Sequence, residues 1–194
     1  MDFHLKSDQD LINLYVSGQE GGLVELLRRY KSKIYTSIYL LVKDEYLAED
    51  IFQDTFIKVI NTLKAGKYNE EGKFLPWVSR IAHNLVIDHF RREKRTPLVS
   101  GGDDFDIFEV LGNYDESMED RMVREQTHKD LKALIHLLPA EQKEVLIMRH
   151  FGDMSFKDIA DVTEVSINTA LGRMRYALNN LRKMMQTKEL SLKN

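Results

Sequence analysis

The stretch Ser155-Phe156-Lys157-Asp158-Ile159-Ala160-Asp161-Val162-Thr163-Glu164-Val165-Ser166-Ile167-Asn168-Thr169-Ala170-Leu171-Gly172-Arg173-Met174-Arg175-Tyr176-Ala177 decides how this chain is read. Ser155 followed by Asp158 has the form of a capping box, which predicts a short helix from Ser155 to Val162. Thr163, Glu164 and Val165 then make a tight turn, and Ser166 caps a long second helix to about Met185. Ile159 and Ala160 would pack the two helices together, with Val165 in the corner. Ala170, Met174, Ala177 and Leu181 recur every three or four residues and form one buried stripe. The unit is a helix-turn-helix. Such a unit inserts its second helix N-terminus first into the major groove, so Ser166, Asn168, Thr169, Leu171, Gly172, Arg175 and Tyr176 are candidates to face base edges. Arg173 is better placed for a phosphate, whose contacts position without reading sequence. Glu164 stands at a turn position where glycine is often preferred for a left-handed backbone.

Charge supports this reading once its distribution is considered. The net charge of −3 argues weakly against nucleic acid. Yet Ser166 to Lys188 carries Arg173, Arg175, Arg182, Lys183 and Lys188 with no acid, and Ser79 to Arg95 is also basic through Arg80, Arg91, Arg92, Lys94 and Arg95. Between these segments, residues 98–125 hold nine acids, including Asp103, Asp104, Asp106 and Glu109, against Arg121 and Arg124. Two cationic segments therefore flank an acidic one.

Elsewhere the apolar residues also keep helical spacing, and no run of period-two alternation is convincing, so the fold class is all-α. Ser7 and Asp10 open a first helix that ends near Gly18. A second runs from Glu20 to Val42, with Leu23, Leu26, Leu27, Tyr30, Ile34, Ile38 and Leu41 on one face. Asp44 caps a third, to Lys64, with Ala48, Phe52, Phe56, Val59 and Leu63 inward. Residues 65–73 form a polar loop, and Pro76 suits the first turn of a fourth helix whose inward residues would be Trp77, Ile81 and Leu85. Thr96-Pro97 stops that helix. Helices from Met118 to Leu137 and from Pro139 to His150 precede the helix-turn-helix, with Gly152 placed to end the latter. Two small helical domains, residues 1–97 and 119–194, are thus expected on either side of an acidic linker, residues 98–118.

The first domain offers two outward strips. Asp50, Gln53, Asp54 and Ile57 share the outer side of the third helix, and Asn84, Asp88, Arg91, Arg92 and Arg95 line the fourth. A solvated face satisfies either pattern, although an apolar Ile57 among polar neighbours raises the odds of a docking surface. His83 and His89 are six residues apart, are not a ligand pair one turn apart, and read as surface or DNA-proximal residues. No P-loop, dinucleotide fingerprint or metal motif occurs, so no catalytic residue, cofactor or metal is expected. Cysteine is absent, which excludes disulfides and thiolate chemistry. No secretion signal is evident at Met1-Asp2-Phe3-His4, and no apolar run nears the roughly 20 residues of a membrane span. A cytoplasmic protein without stable membrane insertion is expected.

Taken in order, these segments resemble a sigma factor of the extracytoplasmic-function (ECF) group of the sigma-70 family. Leu47 to Phe56 is similar to region 2.2 of that family, Phe74 to Asn84 with Asp88, Arg91 and Arg92 to regions 2.3 and 2.4, Leu138 to Gln142 with Val145, Leu146 and Arg149 to region 4.1, and the helix-turn-helix to region 4.2. The resemblance implies core RNA polymerase as partner, through the β′ clamp helices and the β flap, with Asp50, Gln53, Asp54 and Ile57 on the clamp. It implies promoter DNA as the other partner, with Asn84, Asp88, Arg91 and Arg92 at the −10 element, the second helix of the helix-turn-helix at the −35 element, and an anti-sigma factor holding the protein inactive. Lys67, Tyr68 and Asn69 fall in the loop that receives a flipped −10 base in the family; a plain surface loop fits those residues equally well. The acidic linker would thread a basic polymerase channel. Leu171, Gly172 and Leu178 depart from the family, which often has basic, serine and basic residues there, and imply either fewer phosphate and base contacts or a different −35 sequence. A stand-alone helix-turn-helix regulator, and a sigma mimic that binds only an anti-sigma factor, are the competing readings.

Overall fold

A computed structural model describes residues 3–69, 73–93 and 130–187. The helix stop at Thr96-Pro97, the acidic segment 98–118 and the helix start near Met118 lie outside the described residues. The chain divides into two compact units. The first holds α1 (Asp8–Val16), α2 (Gly21–Val42), α3 (Glu45–Lys64) and α4 (Phe74–Glu93). In the second, residues 130–136 are helical (α5), followed by α6 (Ala140–His150), α7 (Phe156–Val162) and α8 (Ile167–Thr187). The described residues contain no strand.

Local chemistry starts these helices where the side chains predict. The Ser7 hydroxyl accepts from the Asp10 amide at 3.2 Å while the Asp10 carboxylate accepts from the Ser7 amide at 3.3 Å, a reciprocal capping box. Asp44 accepts from the Leu47 amide at 2.8 Å. Ser155 and Asp158 close a second capping box, and Ser166 accepts from the Thr169 amide at 3.0 Å.

In the first unit, Leu11, Leu26, Ile34, Ile38, Ala48, Val59, Leu63, Phe74 and Val78 are essentially sealed from water. Each fully buried Leu or Ile contributes about 1.5–3 kcal/mol relative to an exposed one, so this core holds the four helices together. The α1–α2 contact is unusually close. A Cβ on Gly22 would lie 2.2 Å from the Leu11 carbonyl oxygen, so only glycine fits there.

A polar clasp reinforces that contact. Glu25 is only 4% exposed and accepts Arg28 bidentately at 2.8 Å and Arg29 at 3.0 Å, with His4 Nδ1 at 3.1 Å. Arg29 also donates to Asp8 at 2.9 Å and to the carbonyls of Phe3, His4 and Lys6. Tyr30 donates to Asp8 at 2.6 Å. The segment before α1 is thus tied to α2 by charge-assisted hydrogen bonds.

Three expectations change. The inward face of α4 is Phe74, Leu75, Val78, Ser79, Ala82, His83 and Val86, while Trp77, Ile81 and Leu85 lie half-buried along its edge. Small residues such as Ser79 and Ala82 let α4 approach its neighbours, and the bulky ones fill the margins. His83 is accordingly buried rather than a surface residue. After α6 the left-handed residue is Asp153, with φ 51°, and Gly152 is not in that region. Aspartate tolerates this conformation better than most residues.

In the second unit Val145, Met148, Met154, Ile159, Ala160 and Ala170 form a shared core for α6, α7 and α8, with Val165 and Met174 packed against it. Arg149 donates to the Met154 carbonyl at 2.8 Å and lies over the Phe156 ring at 5.5 Å, bracing the turn into α7. Glu164 adopts φ 54°, and the Val165 amide reaches the Ala160 carbonyl at 3.0 Å to close α7. A left-handed residue with a Cβ costs about 1–2 kcal/mol, part of which glycine returns as chain entropy. Glu164→Gly should therefore raise the stability of the second unit by about 1 kcal/mol. A denaturant midpoint that stays put or falls would show that the Glu164 side chain stabilises the turn in some other way.

Candidate nucleic-acid interface

On α8 the buried stripe is Ala170, Ala177 and Leu181, with Met174 half-buried beside it. This rotation leaves Ser166, Asn168, Thr169, Leu171, Arg175 and Tyr176 exposed, and Gly172 and Arg173 partly exposed on its flanks. Asn180 donates to Gln142 of α6 at 2.8 Å, fixing the rotation. The Ser166 and Thr169 hydroxyls bond each other at 2.8 Å at the helix start. The Arg175 guanidinium lies 5.3 Å from the Tyr176 ring centroid, so the cation stacks on a neighbour and keeps its charge outward. Among the described residues, neither Arg173 nor Arg175 forms an ion pair with a carboxylate. The face is cationic, acid-free and open.

The α4 strip is exposed at Asn84, Asp88, Arg91 and Arg92. Arg91 and Asp88 meet only at 3.9 Å, both largely solvated, a pair too loose and screened to lock either side chain. His89 lies 3.9 Å from Glu93 on the adjoining flank. Arg95 lies outside the described residues.

The loop after α3 begins with Gly66, whose φ of 64° lets the Lys67 amide bond the Thr62 carbonyl at 3.1 Å. Lys67 and Asn69 are exposed. Tyr68 turns inward, its ring 4.7 Å from Trp77 and 6.4 Å from Phe74. The expected trio is therefore not one outward surface. Tyr68 does border a recess of about 330 Å³ shared with Gln9, Ile12, Asn13, Val16, Ser17, Leu63 and Gly66.

On α3, Asp50, Gln53, Asp54 and Ile57 are all exposed and share one face. Ile57 is 55% exposed, in a ring of polar neighbours. Tyr46, 85% exposed, lies one turn before Asp50 on the same face. Sequence reasoning missed it, although its spacing of four, seven and eleven residues from Asp50, Gln53 and Ile57 was visible. No group of three or more His, Asp or Glu able to hold a metal ion occurs among the described residues, and no helix there is long and apolar enough to cross a membrane.

Residues 26–96 match sigma-70 region 2 and residues 128–180 match sigma-70 region 4. The chain is 29% identical over 186 residues to the RNA polymerase sigma-H factor of Pseudomonas aeruginosa, covering 93% of this chain and 95% of that protein. It is 25% identical to the ECF RNA polymerase sigma factor SigW of Bacillus subtilis, over 87% and 91% of the two chains. The fold is similar to that of the sigma factor RpoE from Bartonella quintana, solved with the anti-sigma factor NepR, at TM-score 0.63 and 19% identity over 84% of this chain and 96% of that one.

Proposed function

The chain belongs to the sigma-70 family, as a sigma factor of the ECF group, and from that membership we propose how its exposed faces divide the work of promoter recognition. The protein binds core RNA polymerase and directs it to promoters to start transcription. Its α3 face, Tyr46, Asp50, Gln53, Asp54 and Ile57, docks on the β′ clamp helices. The second unit engages the β flap. Asn84, Asp88, Arg91 and Arg92 on α4 contact the −10 element, with Lys67 and Asn69 beside the recess bordered by Tyr68. Taking a base out of the stack costs a few kcal/mol, which such a recess offsets by holding the flipped ring. Ser166, Asn168, Thr169, Leu171, Gly172, Arg175 and Tyr176 face the −35 element in the major groove, and Arg173 contacts a phosphate. Neither DNA contact needs to be strong alone, because both act on one duplex within the holoenzyme. An anti-sigma factor holds the protein inactive. The protein acts in the cytoplasm without catalysing a reaction of its own.

The observation that carries this reading is that each unit presents a cationic helix face without tight internal neutralisation. A stand-alone regulator leaves the region 2 match unexplained. Run-off transcription with bacterial core polymerase tests the reading: promoter-specific initiation is expected, and DNA binding without initiation would refute it. Within that assay, Arg173→Ala should weaken all promoters about equally, whereas substitutions at Asn168 should change −35 preference. Unchanged promoter binding in both variants would mean that α8 enters the groove on another face.

A further inference from the structure

Alongside its arginines, α8 exposes an apolar ridge. Ile167 is 46% and Leu171 44% exposed, one turn apart at the N-terminal end of the helix, the end that enters a groove. Beside Leu171, Gly172 interrupts the helix interior, where alanine is the better helix former. Nothing among the described residues requires glycine here. A Cβ at Gly172 meets no atom within 4 Å, and its φ is not in the left-handed region. A residue that weakens the helix and serves no internal packing implies that space is needed outside. The external body is anionic by charge complementarity, since Ile167–Thr187 contains no carboxylate and carries Arg173, Arg175, Arg182 and Lys183.

In the major groove the apolar feature available to such a ridge is the 5-methyl group of thymine. We infer that Leu171, flanked by Ile167, reads a thymine methyl in the −35 element, and that Gly172 lets the helix approach closely enough for this contact. The inference rests on the assignment of α8 to the −35 element.

The test uses holoenzyme and a promoter duplex from which it initiates, with each −35 thymine replaced singly by deoxyuridine, which lacks only the methyl. At least one replacement should weaken binding about three- to fivefold, the value of one methyl removed from a contact. Holoenzyme carrying Leu171→Ala should bind the methylated and unmethylated duplexes equally. Gly172→Ala should raise the melting temperature of the protein yet weaken promoter binding, a combination that a merely structural glycine would not produce. If no deoxyuridine duplex loses affinity, or if Leu171→Ala retains the full loss, the inference is overturned. If Leu171→Ala binds every duplex as the parent does, the ridge belongs to a protein partner and the inference is likewise overturned. Scrambling the whole −35 element separates the two levels. Should that have no effect, the assignment of α8 itself fails; should it abolish binding while methyl loss does not, only the methyl contact fails.

Discussion

Ile57→Asp is expected to weaken binding to core RNA polymerase by about 30-fold or more, with helical content and melting temperature unchanged. The side chain is more than half exposed, so the fold loses little packing when it is replaced. It sits among Asp50, Gln53 and Asp54, an apolar centre inside a polar ring. In protein interfaces such centres carry most of the affinity, and disrupting one costs about 2 kcal/mol or more, which is the stated factor. Burying a new carboxylate against a partner adds an unpaired charge. Equilibrium binding of labelled protein to core polymerase measures the effect. An unaltered affinity would move the docking surface off this face of α3 and leave the cationic faces to be reassigned separately.

Glu25→Ala should destabilise the first unit by about 3 kcal/mol, the low end for breaking a buried ion pair, because Arg29 keeps Asp8 and three backbone carbonyls. The hydrogen bonds from Arg28, followed by those from Arg29 and His4, hold the Glu25 carboxyl at about 2, well below its ordinary 4.5, against the opposing effect of burial. A carboxyl whose folded value is depressed binds its proton less readily in the native state. The stabilisation is therefore complete above about pH 4.5 and is lost as pH falls toward 2. Urea unfolding across this window should show a steep acid limb in the parent protein and a shallower one in Glu25→Ala. Identical acid limbs would exclude Glu25 as the group responsible.

Much of the fold was readable because it depends on neighbours along the chain. A serine or aspartate before an apolar run caps the helix that follows, and the capping residues Ser7, Asp44, Ser155 and Ser166 all do so. The buried stripe of α8 follows from a spacing of three and four, because Ala170, Met174, Ala177 and Leu181 fall on one side of the helix. For the same reason the outward positions of Asp50, Gln53, Asp54, Asn168 and Arg175 were legible.

On α4 the same reasoning falls short. Its apolar residues spread over about half the circumference, from Trp77 round to Val86, and periodicity alone does not say which part of a wide arc lies deepest. Contact with other helices resolved that, placing Val78, Ala82 and His83 inside and Trp77 at the margin. The inward turn of Tyr68 depends likewise on Phe74 and Trp77 being brought beneath it.

The sequence by itself determined the helices, their caps, the helix-turn-helix and the segregation of charge, since each is set within a few residues along the chain. Tertiary structure alone decided the burial of Glu25 in a clasp reaching back to residues 3–8, the depth of His83, and the close seat of Gly22 on the Leu11 carbonyl. These depend on which surfaces of separate helices meet, and that is settled by close packing in three dimensions.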